Sequence, residues 1–491
     1  AYGAPADLEH LVDEAHRRGM YVLLDTPVNH VADSCPWFRA ARQKACEGVP
    51  AGGAGRNPYC GYFYFHPDPG SRLPYSAWHK PWDWSRTDHR AVWYLPYAFD
   101  AAADRNEQYY GGFARGMPEL AFWDFAAGAW NAPVVEELAR FVRTWFGAGI
   151  DGLRIDAAKH FVEGNTTNAS AREPRNLELL QRVGVQARAL APTASLVAEI
   201  WSGYEDIDPY VPATTDAALD FPYFHAIRES IEGPSDRPPL REVLRHLART
   251  QDAIPLGSRV TFAGNHDVSR LRTHFPGDDA RLRLAHFLAF LAPETTLLFY
   301  GEELGFEGKV KRPGPPPADP SRETEEERKQ RLEEYLHTDR AFPWHGRDAS
   351  GGHAGPKAPG AGLPEDAAAH NLETERRDPA SLYTYVKSLA ALRRAFGATA
   401  GTRLFVDETL YGHVVGYTLV TPGPKPSCRT VVVSLQDRDT YTVPVRHAAA
   451  ACAGAPLDEA HADGAQRREQ GATVRYVLSP RGRVVLDGRA P

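Results

Sequence analysis

Apolar and polar positions along the chain change repeatedly between the period of a helix and the pattern of a buried strand. An amphipathic stretch over residues 6–19, with basic residues late, predicts a helix that stops at Gly19. The apolar run YVLLDTPVNH that follows predicts a buried strand ending near Asp25. Beyond residue 130 the alternation predicts helix 133–147, strand 150–156, helix 175–190, strand 195–200, strand 217–221, helix 239–251, strand 259–264, helix 278–291 and strand 295–300. Such alternation is typical of a parallel sheet with helical crossovers.

Two segments interrupt this alternation, and a third region replaces it at the end of the chain. Residues 30–130 are rich in Gly, Pro and aromatic residues and have no clear period, which predicts an insertion. Residues 306–371 contain RPGPPPADP and a highly charged helix, which predicts a partly mobile insertion over the rim of the barrel. After a last helix, 381–395, short apolar runs between turn residues predict an antiparallel β domain. The predicted domains are the start of a partial barrel (1–29), an insertion subdomain (30–130), the remaining barrel (131–399) and a C-terminal β-sandwich (400–491).

Composition and charge exclude several classes of function. The 491 residues are 43% hydrophobic, enough for one large core and smaller additional domains. The formal net charge is −7, and no basic stripe follows the chain, so nucleic acid is not an expected partner. No run of about 18 apolar residues occurs, which predicts no membrane span. Localisation stays open, with secretion and the cytoplasm both compatible, and a monomer is expected.

The most informative motif is GIDGLRIDAAKH, residues 149–160, where a buried strand ends. Arg154 and Asp156 are two residues apart, so their side chains project to the same side of the strand. A neighbouring guanidinium keeps a carboxylate ionised, as a nucleophile requires. Taken alone, an aspartate after a strand is more often the cap of the next helix.

Two further acidic residues end later apolar runs. SLVAEIW places Glu199 at the end of one run, and RVTFAGNHD places His266 and Asp267 at the end of another. Each is weak evidence singly, because salt bridges and turns also use these residues. In a barrel of alternating strands and helices, however, catalytic groups come from the C-terminal ends of several strands. We therefore expect the three carboxylates to converge at one rim.

Aromatic residues, 11% of the chain, are frequent between residues 29 and 130. Rings beside polar groups suit sugars, which have apolar faces and hydroxyl edges. The alternative is that most of them pack the core of an irregular subdomain, and this alternative is favoured. The aromatic residues concerned are Trp37, Tyr59, Tyr62, Tyr64, Trp78, Trp82, Trp84 and Trp93.

The cysteines allow one or two disulfides without implying them, and no pair has the spacing of zinc ligands.

Four motifs in order resemble the recurring segments of the α-amylase family, glycoside hydrolase family thirteen. They are DTPVNH (25–30), GLRIDAAKH (152–160), AEIW (198–201) and AGNHD (263–267). MPEL (117–120) resembles a fifth segment, and FYGEELG (299–305) is similar to the stretch after the eighth strand. The resemblance covers nearly the whole chain. It implies an α/β fold, a (β/α)8 TIM barrel with an insertion after the third strand and a C-terminal antiparallel β domain.

The resemblance also implies roles for individual residues. Asp156 would be the nucleophile, Glu199 the general acid/base, and Asp267 a third carboxylate that binds sugar hydroxyls and helps to distort the ring. The −1 sugar would also contact Arg154, His266 and His30. The sugar on the leaving-group side would contact Lys159 and His160.

The chemistry agrees with these roles. Retaining cleavage of a glycosidic bond requires an ionised and a protonated carboxyl about 5 to 5.5 Å apart. Neighbouring strands, roughly 4.8 Å apart, place their end residues at about that distance. Arg154 favours the ionised form of Asp156, and the negative charges of Asp156 and Asp267 are expected to raise the pKa of Glu199.

Two features depart from the family pattern. The chain begins with Ala1, and its first element resembles the helix after the second barrel strand. We therefore expect a fragment whose first two strand-helix units are absent and whose exposed apolar edges reduce solubility and activity. The second departure concerns calcium. Asn29 and the carbonyl of His160 match a calcium site of many relatives, but Ala121 replaces a residue that often supplies an oxygen, unless Asp124 substitutes. No cofactor is expected to be required.

The favoured substrate is an α-1,4-linked glucan, starch-like or a malto-oligosaccharide. RAFPWHG (340–346) and the segment 371–394 resemble exo-acting α-glucosidases and trehalose synthases, whereas Lys159 and His160 resemble endo-acting amylases. An exo-acting α-glucosidase or a glucosyltransferase of the trehalose synthase type is thus the alternative, because transfer and hydrolysis share one covalent intermediate. A noncatalytic sugar-binding or transporter-associated homologue is the alternative of another class, and the intact carboxylates argue against it.

Overall fold

A computed structural model describes two compact units of the chain. The first unit is formed by described residues up to Leu219, and the second by described residues from Asp220 onward. The structure describes residues 3–66, 93–96, 99–113, 116–162, 173–212, 214–233, 238–310, 342–344, 370–396, 401–470 and 473–489. The predicted charged helix in 306–371 and Trp78, Trp82 and Trp84 lie outside these residues.

The first unit alternates helices with strands, as the sequence predicts. Its helices are α1 (Pro5–Arg17), α2 (Pro36–Ala41), α3 (Ala132–Gly147), α4 (Pro174–Leu190) and α5 (Tyr204–Ile207). Its strands are β1 (Leu23–Thr26), β2 (Phe65–His66), β3 (Trp93–Tyr94), β4 (Gln108–Tyr110), β5 (Trp123–Asp124), β6 (Ala129–Trp130), β7 (Gly152–Ile155), β8 (Ser195–Ala198) and β9 (Ala217–Leu219).

Parallel strands in the order β1-β7-β8-β9 form the main sheet of this unit. In register, Asp25 lies opposite Arg154, and Arg154 lies opposite Val197. The central strand β7 is mostly buried, which explains its continuous apolar sequence. Strand β1 lies at the edge, and its Leu23 is 43% exposed.

Small antiparallel sheets organise the insertion that follows β1. Strands β2, β4 and β3 form one sheet, and β5 and β6 form another. Phe38 packs edge-on against Phe63 and Tyr109, with ring centroids 5.2 and 4.7 Å apart. Because Tyr62 and Tyr64 are also buried, aromatic residues form the core of this subdomain, which is the alternative that the sequence favoured for most of them.

The second unit continues the alternation and then changes to antiparallel strands. Its helices are α6 (Phe221–Glu232), α7 (Pro239–Thr250), α8 (Leu271–His274), α9 (Asp279–Phe290), α10 (Leu372–Glu375) and α11 (Leu382–Phe396). Its strands are β10 (Arg259–Phe262), β11 (Thr295–Leu297), β12 (Arg403–Val406), β13 (Val414–Thr421), β14 (Ser427–Ser434), β15 (Tyr441–Pro444), β16 (Asp458–Gln470) and β17 (Thr473–Arg489). Strands β10 and β11 are parallel. Together with the strands and helices of the first unit, they are elements of a (β/α)8 barrel fold, as predicted.

Helix α6 is a correction to the sequence prediction, which placed a strand over 217–221 and no helix after it. The strand ends at Leu219, and the Asp220 side chain caps α6 by accepting a hydrogen bond from the Tyr223 backbone N–H at 2.9 Å. Pro222 occupies the first turn, where its missing N–H has no cost. Buried Phe224, Ile227 and Ile231 recur at helical spacing, but the apolar residues at the start of α6 continue the run of β9, which extends the predicted strand to residue 221.

Strands β12 to β17 form one antiparallel sheet in the order β12-β13-β14-β17-β15, with β16 paired to β17. The apolar runs TVRYVLS and RVVLDG, which a turn signal separates in the sequence, belong to the single long strand β17. Strand β16 was not predicted, because its sequence DEAHADGAQRREQ is polar and its pairing with β17 orders it. The predicted domain boundaries and sandwich arrangement stay predictions.

Two disulfides form among the described cysteines. They join Cys46 to Cys60 in the insertion and Cys428 to Cys452 in the C-terminal sheet, while Cys35 is a free thiol. No helix within the described ranges has the length and apolar character needed to span a membrane.

Candidate active site

Arg154 and Asp156 meet at the C-terminal end of β7. Arg154 Nη1 donates a hydrogen bond to Asp156 Oδ1 at 2.6 Å, so the contact predicted from their two-residue spacing is present. Both side chains are largely buried. The Asp156 backbone N–H donates to Thr26 O at 3.2 Å, which holds this residue against the end of β1. Asp156 therefore has an ionic partner and a fixed backbone.

Glu199 approaches the same guanidinium from the end of β8. Its Oε1 lies 2.8 Å from Arg154 Nη2. Its backbone N–H donates to Ile155 O at 2.9 Å, which continues the pairing of β7 with β8 by one residue. The structure thus brings Asp156 and Glu199 to one arginine, as expected for acidic residues at the ends of adjacent parallel strands.

The turn after Asp156 supplies a further donor to Glu199. Ala157 has a φ of +50°, a left-handed conformation that residues with a Cβ adopt at an energetic cost. In this conformation its backbone N–H donates to Glu199 Oε2 at 3.1 Å, and the next N–H, that of Ala158, donates to Glu199 O, also at 3.1 Å. Both oxygens of the Glu199 carboxylate are therefore held.

Asp25 is a site residue to which the sequence analysis assigned no role. It lies opposite Arg154 in the parallel register of β1 and β7, and Arg154 Nη1 donates to its Oδ1 at 2.7 Å. Its side chain is 57% exposed, unlike those of Asp156 and Glu199. The sequence feature that could have identified Asp25 is its position at the end of a buried strand, a position that Glu199 and Asp156 also have.

Electrostatic attraction keeps Arg154 charged. Burial alone would lower the pKa of this guanidinium, but the negative charges of Glu199, Asp25 and Asp156 raise its pKa above the usual value. Arg154 is accordingly a permanent cation shared by three carboxylates.

His30 lies beside this group, in the loop after β1. Burial lowers the pKa of its imidazole, against the opposing charge of Asp156. Its ring packs against Phe113 at 5.0 Å between centroids, and Phe113 in turn contacts the ring of His160 at 5.5 Å. His30 is thus a neutral hydrogen-bonding group at neutral pH.

Lys159 and His160 are more enclosed than their predicted contact with a leaving-group sugar suggests. Lys159 is 8% exposed, and its ammonium donates to Trp201 O at 2.8 Å. His160 is 1% exposed. Contact with substrate by either side chain stays a prediction, and in this conformation Lys159 links the end of β7 to the segment after β8.

His266 and Asp267 belong to the second unit, in the loop after β10. His266 Nε2 lies 3.4 Å from Asp267 Oδ2, and the Asp267 backbone N–H donates to Asn265 Oδ1 at 3.0 Å. Asp267 is partly exposed and His266 more so, which leaves both accessible to a ligand. Their predicted convergence with the first unit's carboxylates stays a prediction.

Calcium binding at the site that the family resemblance suggested stays a prediction. The Asn29 side chain donates an amide hydrogen to His160 O at 2.6 Å, so the two groups that resemble calcium ligands contact each other. Asp124 Oδ1 accepts hydrogen bonds from the backbone N–H groups of Ala126 and Ala127. No group of three or more His, Cys, Asp or Glu side chains suited to a metal occurs in the described part of the chain.

Comparison with known proteins identifies the family. The family model "Alpha amylase, catalytic domain" matches residues 1–400. "Alpha-amylase 3" of Dictyoglomus thermophilum is 25% identical over 428 residues, covering 85% of this chain and 69% of that protein. The "4-alpha-glucanotransferase" of Thermotoga neapolitana is 26% identical over 314 residues, covering 64% of this chain and 59% of that protein.

A solved structure shares the fold. The crystal structure of an alpha-amylase from H. orenii matches with a TM-score of 0.70 at 20% sequence identity, covering 99% of this chain and 84% of that one. The match of the family model over most of the chain, together with the acidic residues at the strand ends, shows that this chain belongs to the α-amylase family of glycoside hydrolases.

Proposed function

We propose that the chain is a retaining glycoside hydrolase that cleaves α-1,4-glucosidic bonds in starch-like or malto-oligosaccharide substrates. One observation carries the proposal: Arg154 contacts both Asp156 and Glu199, at 2.6 and 2.8 Å. A pair of carboxyl groups on either side of a scissile bond is the requirement of this reaction.

Asp156 is the nucleophile in this proposal. Its carboxylate oxygen attacks the anomeric carbon, and the bond to the leaving-group oxygen breaks as Glu199 transfers a proton to that oxygen. A glycosyl ester of Asp156 results. Glu199 then removes a proton from water, whose oxygen attacks the anomeric carbon and releases Asp156, so that both carboxyl groups return to their starting states.

Arg154 supports both steps by remaining charged throughout. It places a positive charge 2.6 Å from the Asp156 carboxylate, which must attack as the anion. Asp267 is assigned to the sugar hydroxyls, because it is an accessible carboxylate at the end of another barrel strand. The neutral imidazole of His30 is assigned to hydrogen bonds with the same sugar.

The choice of an α-1,4-linked glucan rests on the relatives. The relative from Dictyoglomus is named an amylase and matches 85% of this chain, which favours hydrolysis of starch-like chains. The chain spans 69% and 59% of the two curated relatives, so the activity of the whole protein is part of the proposal.

Glucosyl transfer is the second candidate. The Thermotoga relative is named a glucanotransferase, and hydrolysis and transfer differ only in whether water or a sugar hydroxyl attacks the glycosyl ester. An exo-acting α-glucosidase or trehalose synthase would use the same residues. The noncatalytic alternative is disfavoured, because Asp156 and Glu199, the two carboxyl groups that the proposed mechanism uses, are both present and contact the same guanidinium.

Digestion of maltoheptaose, with products and their anomeric form followed over time, tests the proposal. We expect mid-length fragments first, released with retained α configuration. Glucose as the sole early product would instead show exo action, and products longer than maltoheptaose would show transfer. Release of β-configured products would contradict the retaining mechanism, and binding without turnover would support the noncatalytic alternative.

A further inference from the structure

Arg228 of helix α6 connects the two ends of the loop that carries His266 and Asp267. Its Nη2 donates to Ala263 O at 3.3 Å, just after β10, and to Ser269 O at 3.0 Å, just before α8. Because one guanidinium nitrogen bonds both carbonyls, it links the two ends of the loop. We call residues 263–269 the Asp267 loop.

A buried carboxylate lies against the same loop. Glu302 is almost completely buried, and its Oε2 accepts a hydrogen bond from the Leu271 backbone N–H at 3.3 Å. A Cβ on Gly264 would lie only 3.2 Å from Glu302 Oε1, so glycine is what allows this close approach to the Asp267 loop. Burial raises the pKa of Glu302 to about 7, and the charges of Arg270 and Arg228 oppose this shift.

Arg270 directly follows the Asp267 loop and is fixed by contacts outside it. Its Nη1 donates to Tyr300 O at 2.5 Å and lies 3.6 Å from Glu302 Oε1. Its guanidinium also lies over the ring of Phe299, 3.9 Å from the centroid. Glu302 is therefore a close buried partner of Arg270, and its charge also acts on Arg228.

Burial of the charged Arg228 guanidinium has an energetic cost. Burial lowers the pKa of Arg228 to about 10, which shows that the protein environment works against its charge. The hydrogen bonds of Arg228 constrain a seven-residue loop with Asp267 near its centre.

We propose that Arg228 is a positioning residue for catalysis, which holds the Asp267 carboxylate in place by joining the two ends of its loop. The inference rests on the proposed function in one respect, namely that Asp267 binds the sugar undergoing cleavage. Glu302 serves as the counter-charge that keeps Arg228 and Arg270 in this arrangement.

Arg241 provides a matched control. It is a buried arginine of helix α7 whose Nη2 donates to Gly412 O at 3.0 Å and to Val414 O at 2.7 Å, far along the chain from the Asp267 loop. Arg241→Met therefore removes the same kind of contact without touching the Asp267 loop. We expect Arg228→Met to lower kcat/KM for maltoheptaose about 10- to 100-fold, and Arg241→Met to change it less than about 2-fold.

Hydrogen exchange gives a readout that does not depend on activity. We expect amides 264–269 to lose protection in Arg228→Met and in the milder Arg228→Lys, which keeps the charge but carries it on a shorter side chain that does not reach the position of Nη2. Arg241→Met should leave them protected. Unchanged protection of these amides in both Arg228 variants would overturn the proposal. Arg228→Lys keeps the test valid if Arg228→Met does not fold.

A double-mutant cycle links the loop to catalysis. In an Asp267→Asn background, Arg228→Lys should cause little further loss of kcat/KM, because the group that it positions is already removed. An equal loss in both backgrounds would contradict positioning of Asp267. If Asp267→Asn alone leaves kcat/KM unchanged, the assigned role of Asp267 fails, and hydrogen exchange still decides whether Arg228 orders the loop.

Discussion

Glu199 Oε1 lies 2.8 Å from Arg154 Nη2, so the proposed proton donor contacts the guanidinium that also holds the proposed nucleophile. The sequence predicts that Arg154 serves Asp156, and it does not predict that Glu199 shares the same cation. A glycosidic oxygen that binds beside Glu199 therefore competes with Arg154 for this carboxyl group. The competition makes the shape of the Arg154 side chain important for catalysis.

Replacing Arg154 by lysine tests this shared contact. Lysine keeps the positive charge but lacks the planar fork, so one ammonium cannot hold Asp25, Asp156 and Glu199 together. We expect kcat to fall about 100-fold, with a smaller change in KM. Arg188→Lys is the control, because Arg188 pairs with the exposed Asp216 in the same unit, at 2.8 Å. Comparable kcat in wild type and Arg154→Lys would show that charge alone suffices.

Asp156→Asn tests the nucleophile. An amide cannot form the glycosyl ester, so we expect kcat to fall about a thousand-fold or more, while binding of maltoheptaose stays measurable by calorimetry. Asp25→Asn is the comparison, since Asp25 contacts the same guanidinium but is more exposed, and its loss should be milder. An Asp156→Asn enzyme with substantial turnover would refute the assignment.

Activity is expected to withstand removal of calcium. Asn29 and the His160 carbonyl, which resemble two ligands of the family site, hydrogen-bond each other directly at 2.6 Å. Dialysis against a chelator should therefore leave both kcat and the thermal unfolding midpoint unchanged. Restoration of lost activity by added calcium, but not by magnesium, would contradict this expectation.

His286 predicts a loss of stability in acid. Burial in helix α9 lowers the pKa of this histidine from 6.5 to about 4. Between these pH values the unfolded chain binds a proton that the folded protein does not, so the free energy of unfolding falls as the pH falls from 6.5 to 4. The contribution is on the order of 3 kcal/mol. The free energy of unfolding, measured with urea, should fall by about this amount more in wild type than in His286→Gln between pH 7 and pH 4. If the free energies of the two proteins change in parallel with pH, the lowered pKa of His286 is contradicted.

The disulfide between Cys428 and Cys452 is expected to stabilise the C-terminal sheet. It closes a loop with a sequence separation of 24 residues, and its loss should lower the free energy of unfolding by about 3 kcal/mol. Cys428→Ala combined with Cys452→Ala removes it, and Cys35→Ala, at the free thiol, is the control. Denaturant unfolding monitored by circular dichroism measures the difference. Equal midpoints for the double variant and wild type would rule out a stabilising role.

The helices and strands of the fold were predictable where local signals agree. Helix α4 begins at Pro174, one residue from the predicted start, and ends at Leu190 as predicted. Helix α6 was missed because its first residues, FPYF, continue the apolar run of β9, although buried Phe224, Ile227 and Ile231 recur at helical spacing. Strand β16 was missed for the opposite reason, since its polar sequence gains its conformation from pairing with β17.

By itself, the sequence determined that acidic residues follow buried strands and that Arg154 and Asp156 share a side of β7, because strand periodicity acts between near neighbours in the chain. Only the tertiary structure decided that Asp25 and Glu199 share Arg154, and that Arg228 joins the ends of the Asp267 loop. These contacts depend on the register of parallel strands and on the packing of α6. Residues far apart in sequence meet there through backbone pairing, which side-chain patterns along a single segment do not specify.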